Sequence, residues 1–238
     1  MKAIIFAAGL GSRLKPLTDN TPKALLKVNG KPLLAHAIEK LQHAGVTEII
    51  VNVHHLAEQI ISYLENNPYP KIRFSISDER DLLLDTGGGL KKAANFFNDA
   101  QPFFAYNVDI LTDMDLSEMM DFHRKHGALA TLAVSDRATA RYLLFDNDMR
   151  LKGWTNVKTG EVIPQNIDLK PLRKKAFSGI HVINPDLLRF LDKKGNFPII
   201  PEYLRLCSEH LILGYDHTGS HWMDMGKPEA FANGIAAV

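Results

Sequence analysis

Apolar residues along this chain recur in two alternating rhythms, compact runs and amphipathic stretches of helical spacing. Lys2–Ala7 is a compact run that reads as a strand, and Gly9–Asn29 after it reads as a long loop rich in Gly, Pro and charge. Leu33, Leu34, Ala37, Ile38 and Leu41 share one helical face within Pro32–His43, and Gly45 supplies the stop. Further along, the spacing predicts strands at Glu48–Val53, Lys71–Ser77, Pro102–Val108 and Leu129–Val134. Helices are predicted between them at Leu56–Glu65, Gly89–Phe97 and Ser117–Lys125. Such alternation implies an α/β fold whose first half is a mainly parallel sheet with right-handed crossovers.

After about Ser135 the rhythm changes. Short strands are predicted at Arg141–Phe145, Leu151–Trp154 and Ile180–Ile183, joined by polar segments. Lys158–Lys175 is weakly patterned and reads as a long loop carrying Lys170, Arg173, Lys174 and Lys175. Pro185–Leu191, Pro201–Cys207 and Pro228–Ala237 read as helices, each with proline at an early position. The expectation is one continuous domain over residues 1–238, with a mixed, mainly parallel central sheet.

Composition narrows the classes. A chain of 238 residues is long enough for one sizeable core. Its 28 Lys and Arg against 27 Asp and Glu give no general attraction to nucleic acid or to an anionic membrane. Any phosphate chemistry must therefore come from a local arrangement. The single cysteine, Cys207, excludes an internal disulfide and a cysteine-based zinc site, and fits a reducing, cytoplasmic setting. The apolar start resembles a short signal peptide, but Ser12-Arg13 and Lys15-Pro16 interrupt it, so it is expected to be a buried first strand. No stretch approaches the roughly 18 apolar residues of a membrane helix.

In an open parallel sheet, ligands bind beyond the carboxyl ends of the strands. The first such end carries Ala7-Ala-Gly-Leu-Gly-Ser-Arg-Leu-Lys-Pro-Leu-Thr18. Its glycines let backbone N–H groups approach an anion, and Arg13 offers a bidentate fork to phosphate oxygens. Leu14 stands where a dinucleotide fingerprint needs its third glycine, which disfavours a nicotinamide-dependent oxidoreductase, and no Gly-Lys-Ser/Thr follows as in a P-loop. Lys23, set by Thr21-Pro22, lies in the same connection and can act as a point charge on a second phosphate. The strand Phe103–Asp109 ends in a carboxylate directly after apolar residues, and Asp224 lies between a short apolar strand and a glycine turn. Together Asp109 and Asp224 would offer the one or two carboxylates that Mg²⁺ takes from a protein. Asp115 reads as a helix N-cap ahead of Ser117 and Glu118. Asp85-Thr-Gly-Gly-Gly89 reads as a flexible approach to a helix that could face a base or anion. His123 and His126 share a helix without a third ligand, so a metal there is disfavoured.

At this point the motifs resemble a family. Gly9-x-Gly-Ser-Arg-Leu-x-Pro-Leu-Thr18, Thr21-Pro-Lys-Ala-Leu25 and Val28-x-Gly-Lys-Pro-Leu33 resemble the signature of the sugar-phosphate nucleotidylyltransferases, or nucleotide-sugar pyrophosphorylases. Asn107-Val-Asp109 resembles that family's Asn-Gly-Asp, and Trp222-Met-Asp-Met-Gly-Lys-Pro228 its Trp-x-Asp-x-Gly-Thr-Pro. The Thr86–Gly89 run, Phe177-Ser-Gly-Ile180 and His221-Trp222 are similar to the N-acetylmuramate-1-phosphate uridylyltransferases, with mannose-1-phosphate guanylyltransferases the alternative.

The resemblance implies a Rossmann-like three-layer α/β/α domain of the nucleotide-diphospho-sugar transferase type. Residues 1–134 would form its nucleotide-binding half and 135–238 its sugar-phosphate-binding half. The implied substrates are an NTP, UTP in the closest subgroup, and a sugar 1-phosphate. In the implied site Gly9, Gly11, Ser12 and Arg13 hold the triphosphate, and Lys23 neutralises charge near the α-phosphate. Ala8, Thr86 and Gly87 hold the base, Asn107 and Gly179 face the sugar phosphate, and Asp109 and Asp224 bind Mg²⁺. Arg13, Lys23 and Asp109 would carry catalysis, in a monomer or homodimer.

Two departures stand out. Val108 replaces a glycine beside Asp109, which is expected to narrow the space near the sugar. The family's Glu-Lys-Pro segment has no clear equivalent, leaving Lys152, Lys158 and Lys175 as candidates to meet the sugar phosphate. A non-catalytic sensor of nucleotide sugars, built on a degenerate version of the domain, is the alternative of another class.

Overall fold

The computed structural model describes residues 1–234, with side chains to residue 231. In chain order the strands and helices of the first half are β1 (Lys2–Phe6), β2 (Lys27–Val28), β3 (Lys31–Pro32), α1 (Leu33–His43), β4 (Glu48–Val53), α2 (Ala57–Asn66), β5 (Arg73–Asp78), α3 (Asp85–Lys92), β6 (Phe103–Asn107), β7 (Ile110–Thr112), α4 (Leu116–His126) and β8 (Ala130–Ser135). The second half adds β9 (Arg141–Phe145), β10 (Leu151–Asn156), β11 (Glu161–Ile163), β12 (Arg173–Ile183), α5 (Ile200–Leu206), β13 (Ile212–Asp216), β14 (Trp222–Asp224) and α6 (Pro228–Gly234). The last residues of the helix expected over Pro228–Ala237 lie outside the described residues.

The central sheet runs β5-β4-β1-β6-β12-β8-β13. Every neighbouring pair is parallel except those made by β12, which is antiparallel to both β6 and β8. The expected mixed, mainly parallel sheet is therefore present. β8 does not extend the first parallel run directly, because β12 is inserted between it and β6.

Side chains along β1 alternate between two cores. Ala3 and Ile5 face one cluster with α1, α2 and α4, while Ile4 faces the other with α3 and α5. Both faces of the sheet are covered, which explains why β1 reads as an uninterrupted apolar run. The helix ends follow local chemistry. Gly45 takes a positive φ after α1, and its N–H and that of Val46 satisfy the carbonyls of Gln42 and Leu41. Asp115 caps α4 by accepting from the N–H groups of Ser117 (2.7 Å) and Glu118 (3.3 Å).

Two expectations need correction. The third helix begins at Asp85, so the glycine triplet lies inside its first turns. Glycine is a poor helix former, but packing against residues 195–197 requires it here, and tertiary contact overrides propensity. The supposed 158–175 loop carries strand at two places. Residues 161–163 form a hairpin strand with β10, and β12 starts at Arg173, leaving 164–172 irregular. The helix expected over Pro185–Leu191 is present as a 3-10 helix over Pro185–Phe190.

The chain reverses its strand order at β1. β4 and β5 lie on one side of it and β6 on the other. The connections leaving β1 and β6 diverge at that boundary and open a crevice beyond their carboxyl ends. No helix of the described residues is long and apolar enough to cross a membrane.

Candidate active site

The turn that leaves β1 is held from beneath. The N–H groups of Ala7 and Ala8 both donate to Asn52 Oδ1, at 2.6 and 3.2 Å. Asn52 Nδ2 in turn donates to Glu79 Oε1 (2.9 Å), and the other Glu79 oxygen accepts from Leu84 N–H (3.1 Å). One buried amide and one buried carboxylate thus tie the β1 turn, the end of β4 and the start of α3 together. Burial pushes the Glu79 carboxyl above its ordinary value, against the pull of its hydrogen bonds. Gly89 belongs to the same unit, since a Cβ there would lie 2.7 Å from Glu79 Oε1 and 3.0 Å from Asn52 Nδ2.

Beyond the turn, Gly11 takes φ +65° and packs so closely on Thr18 that a Cβ would come within 2.7 Å of it. Leu14 is buried and anchors the 3-10 turn Ser12–Leu14, which leaves Ser12 and Arg13 on the open side. Gly9 is exposed with nothing within 4 Å of its Cβ position, so the space above it is free for a ligand.

Asp109 follows β6, and Lys23, at the start of a second 3-10 turn, donates to its Oδ2. Asp224 reaches the same place through β14, which pairs with β7 so that Asp224 faces Ile110, the neighbour of Asp109. Met225 N–H closes the junction on the Asp109 carbonyl at 2.8 Å. Gly226 marks the centre. A Cβ there would lie 2.8 Å from Asp224 Oδ1, 3.0 Å from an Arg13 Nη and 3.0 Å from Lys23 Nζ. Two cations and two carboxylates from four separate segments therefore surround one small space. It opens on a cleft of about 250 Å³ lined by Ala8, Gly9, Lys23, Thr86, Asn107 and Asp109 among others.

Hard-oxygen donors in this number suit a divalent cation that completes its shell with phosphate and water. Among the described residues no group of three or more His, Cys, Asp or Glu side chains is placed to hold a metal without such help. His123 and His126 are engaged elsewhere: His123 bonds Thr131 Oγ1 (2.9 Å) in the core, and His126 bonds the Phe122 carbonyl (2.8 Å).

The remaining expected residues divide. Asn107 and Gly179 meet, since a Cβ on Gly179 would be 3.0 Å from Asn107 Nδ2. Asn107 Oδ1 is buried without a partner, at the edge of the cleft. Gly87 has another task. Its N–H donates to the Phe197 carbonyl (2.9 Å), and a Cβ would strike the Phe197 ring at 2.5 Å, so it packs α3 instead of offering an amide to a base. Thr86 borders the cleft, with its Oγ1 accepting from Ile199 N–H (3.1 Å). Val108 is buried in the core beneath Asp109 and forms part of the cleft wall.

None of the three candidate lysines lines this cleft. Lys152 pairs with Asp146 at 3.4 Å, and Lys175 is buried between Asp136 and Asp216. Lys158 lies exposed in the β10–β11 turn. Sequence reasoning passed over Asn52, Glu79 and Arg137. Asn52 interrupts an apolar strand near its end, much as Asn107 closes one, which is the one local signal it gives. Arg137 lies on the connection after β8, and its guanidinium stacks on the Trp222 ring at 4.0 Å.

The fold and the charge ring define an α/β protein with two cations and two carboxylates gathered at its topological switch point. A family model described as nucleotidyl transferase matches residues 2–238, and the chain belongs to that family. It is 32% identical over 250 residues to a protein named mannose-1-phosphate guanyltransferase from Candida albicans, covering 98% of this chain and 63% of that relative. Among solved structures, HddC from Yersinia pseudotuberculosis superposes with a TM-score of 0.77 at 21% identity, covering 98% of this chain and 97% of HddC. A UTP-bound UGPase from Acinetobacter baumannii does so with 0.81 at 16% identity, covering 98% and 91%. These likenesses establish the nucleotide-diphospho-sugar transferase type of fold, as expected.

Proposed function

We propose that this protein transfers a nucleotidyl group from an NTP to a sugar 1-phosphate. The observation that carries the reading is the ring of Arg13, Lys23, Asp109 and Asp224 around Gly226 at the strand-order reversal. An oxygen of the sugar phosphate attacks the α-phosphorus, a new O–P bond forms, the bond to the β-phosphate oxygen breaks, and pyrophosphate leaves. No protein nucleophile is needed. Two anions must instead be brought together in line, so catalysis rests on positioning and charge neutralisation.

In this reading Arg13 and the Gly9–Ser12 turn hold the triphosphate, while Lys23 stands by the α-phosphate. Ala8 and Thr86 border the base, and Asn107 with Gly179 faces the sugar phosphate. Asp109 and Asp224 would hold Mg²⁺, which supplies further neutralisation of the phosphate oxygens when bound. Residues 1–134 serve the nucleotide and 135–238 the acceptor. The protein works in the cytoplasm as a monomer or homodimer.

The substrate pair is proposed as UTP with N-acetylmuramate 1-phosphate, from the motifs around Thr86, Gly179 and His221. The second reading, GTP with mannose 1-phosphate, is favoured by the relatives named mannose-1-phosphate guanyltransferase. Crossing UTP, GTP, dTTP and CTP with N-acetylmuramate, mannose, glucose and N-acetylglucosamine 1-phosphates, with and without Mg²⁺, tests both. Pyrophosphate release from one pair is the expected result. Saturable nucleotide binding without pyrophosphate from any pair would make the protein a sensor.

A further inference from the structure

Resting on the transferase reading, the geometry points to Arg137 as the group that grips the acceptor's phosphate, with the acceptor's sugar seated in the gap beyond it.

Three observations converge on this residue. First, Arg137 is a partly buried cation without an ion-pair partner among the described residues. One Nη donates to the Phe177 carbonyl (2.5 Å), and its Nε is buried without a hydrogen-bond partner. Burial pulls its pKa down while the charge of Asp224 pulls it back up, which places it in the field of the proposed metal-holding carboxylate. A desolvated guanidinium with donors to spare is a site for a planar or tetrahedral oxyanion.

Second, the residue is rigidly aimed. Its guanidinium lies on the Trp222 ring, and Trp222 Nε1 is fixed to the Ser178 carbonyl at 2.9 Å, beside Gly179. Ser178 Oγ is itself bonded to His217 at 2.7 Å. This locks Arg137 to the irregularity in β12 that brings Gly179 against Asn107.

Third, Arg137 borders a gap of about 470 Å³ between the β9–β11 strands and the 198–204 segment. Trp154, Leu143 and Phe177 give it apolar walls, and Arg141 and Glu161 give it polar groups. Aromatic walls with a few polar groups suit a sugar ring and its substituents. Of the candidate lysines, Lys152 and Lys175 are paired with aspartates, and Lys158 lines neither this gap nor the cleft at Asp109.

Two substitutions separate charge from scaffolding. Arg137→Gln retains a donor for the Phe177 carbonyl but removes the charge, whereas Arg137→Lys keeps both. With N-acetylmuramate 1-phosphate and mannose 1-phosphate as probes, R137Q should raise the acceptor KM roughly 10–100-fold, the scale of a lost charge-assisted contact. The NTP KM should stay within about twofold, and R137K should recover most of the loss. The chain has two tryptophans, Trp154 on the gap wall and Trp222 beneath Arg137, so acceptor binding should also change intrinsic fluorescence without turnover. That titration should weaken in R137Q and be insensitive to the unphosphorylated sugars. Equal acceptor KM in R137Q and wild type, or equal rescue by Gln and Lys, would overturn the assignment while leaving the transferase reading intact. Absence of pyrophosphate release by the wild type across the substrate panel would overturn both.

Discussion

Lys175 and Lys23 are both largely buried against aspartates, and the contrast between them separates chemistry from scaffolding. Lys175 sits 8% exposed between Asp136 and Asp216, on the rim of β12 and β13, and among the described residues no other lysine or arginine pairs with either partner. Lys23 is held by Asp109 with 12% of its side chain exposed, but there a second cation and a second carboxylate stand around one open point at Gly226. A closed pair spends its charge internally. The open cluster holds charge in reserve for a ligand, so its residues should govern rate, and those of the closed pair stability.

The sharpest way to break that comparison is Asp109→Asn. Removing one carboxylate from the open cluster should lower kcat about a thousandfold, the scale of a lost charge-stabilising group. Its thermal unfolding should match wild type within a few degrees. Near-normal Mg²⁺-dependent pyrophosphate release by this variant would return Asp109 to a scaffolding role.

Next in size is Asn52→Leu, which keeps the branched shape of the side chain but strips partners from the Ala7 and Ala8 N–H groups and from Glu79. Unsatisfied buried groups cost on the order of 1 kcal/mol or more each, so unfolding in urea should reveal a loss of about 3 kcal/mol. The NTP KM should rise as well, because this amide positions the β1 turn. A variant as stable as wild type would show that water replaces the bond.

For the closed pair, Lys175→Met should cost about 2 kcal/mol, less than a fully buried ion pair because Asp136 and Asp216 are partly exposed. Turnover per folded molecule should stay within about twofold of wild type. A large fall in kcat at full stability would place Lys175 in the chemistry after all.

Which of these features could be read in advance follows from how each is built. The first connection was legible because its logic is local. Gly9, Gly11, Arg13 and Lys23 occupy one segment, and turn geometry and charge are written there residue by residue. The meeting of Asp109 with Asp224 could be anticipated as chemistry, since each ends an apolar stretch with a charge. The β7–β14 register that joins them is long-range. The glycine triplet misled for a related reason: Gly87 and Gly88 answer to Phe197 and Gly195, over a hundred residues away, and Gly89 to Glu79 and Asn52. β12 was underestimated because its first three residues, Arg173-Lys-Lys175, are polar and pair with β9, and Arg173 and Lys174 are exposed. Arg137 carried no local signal at all. Its surroundings come from Trp222 and Phe177, which only the folded sheet brings to it.

The smallest effect concerns pH, and it sharpens the closed-pair side. Burial alone would push the Asp216 carboxyl up, but hydrogen bonds from Lys175 and Thr218 outweigh it and hold the group below its ordinary value of 3.8. Burial likewise pulls Lys175 down, and its bonds to Asp216 and Asp136 outweigh that and raise it above 10.5. For an acid lowered on folding, the stability it contributes is present above the unfolded value and is lost as pH falls through the folded one. For a base raised on folding, it is present below the unfolded value and is lost as pH rises through the folded one. The stabilisation from this pair should therefore be flat from about pH 5 to pH 9 and shrink on either side, in acid by about 1 kcal/mol for a part-exposed pair. Urea unfolding of wild type and Lys175→Met at pH 7 and at about pH 2.5 tests this, since their separation should narrow in acid. A separation that keeps its full size would assign the role of Lys175 to the packing of its methylenes, and the closed pair would cease to be an electrostatic counterpart of Lys23 and Asp109.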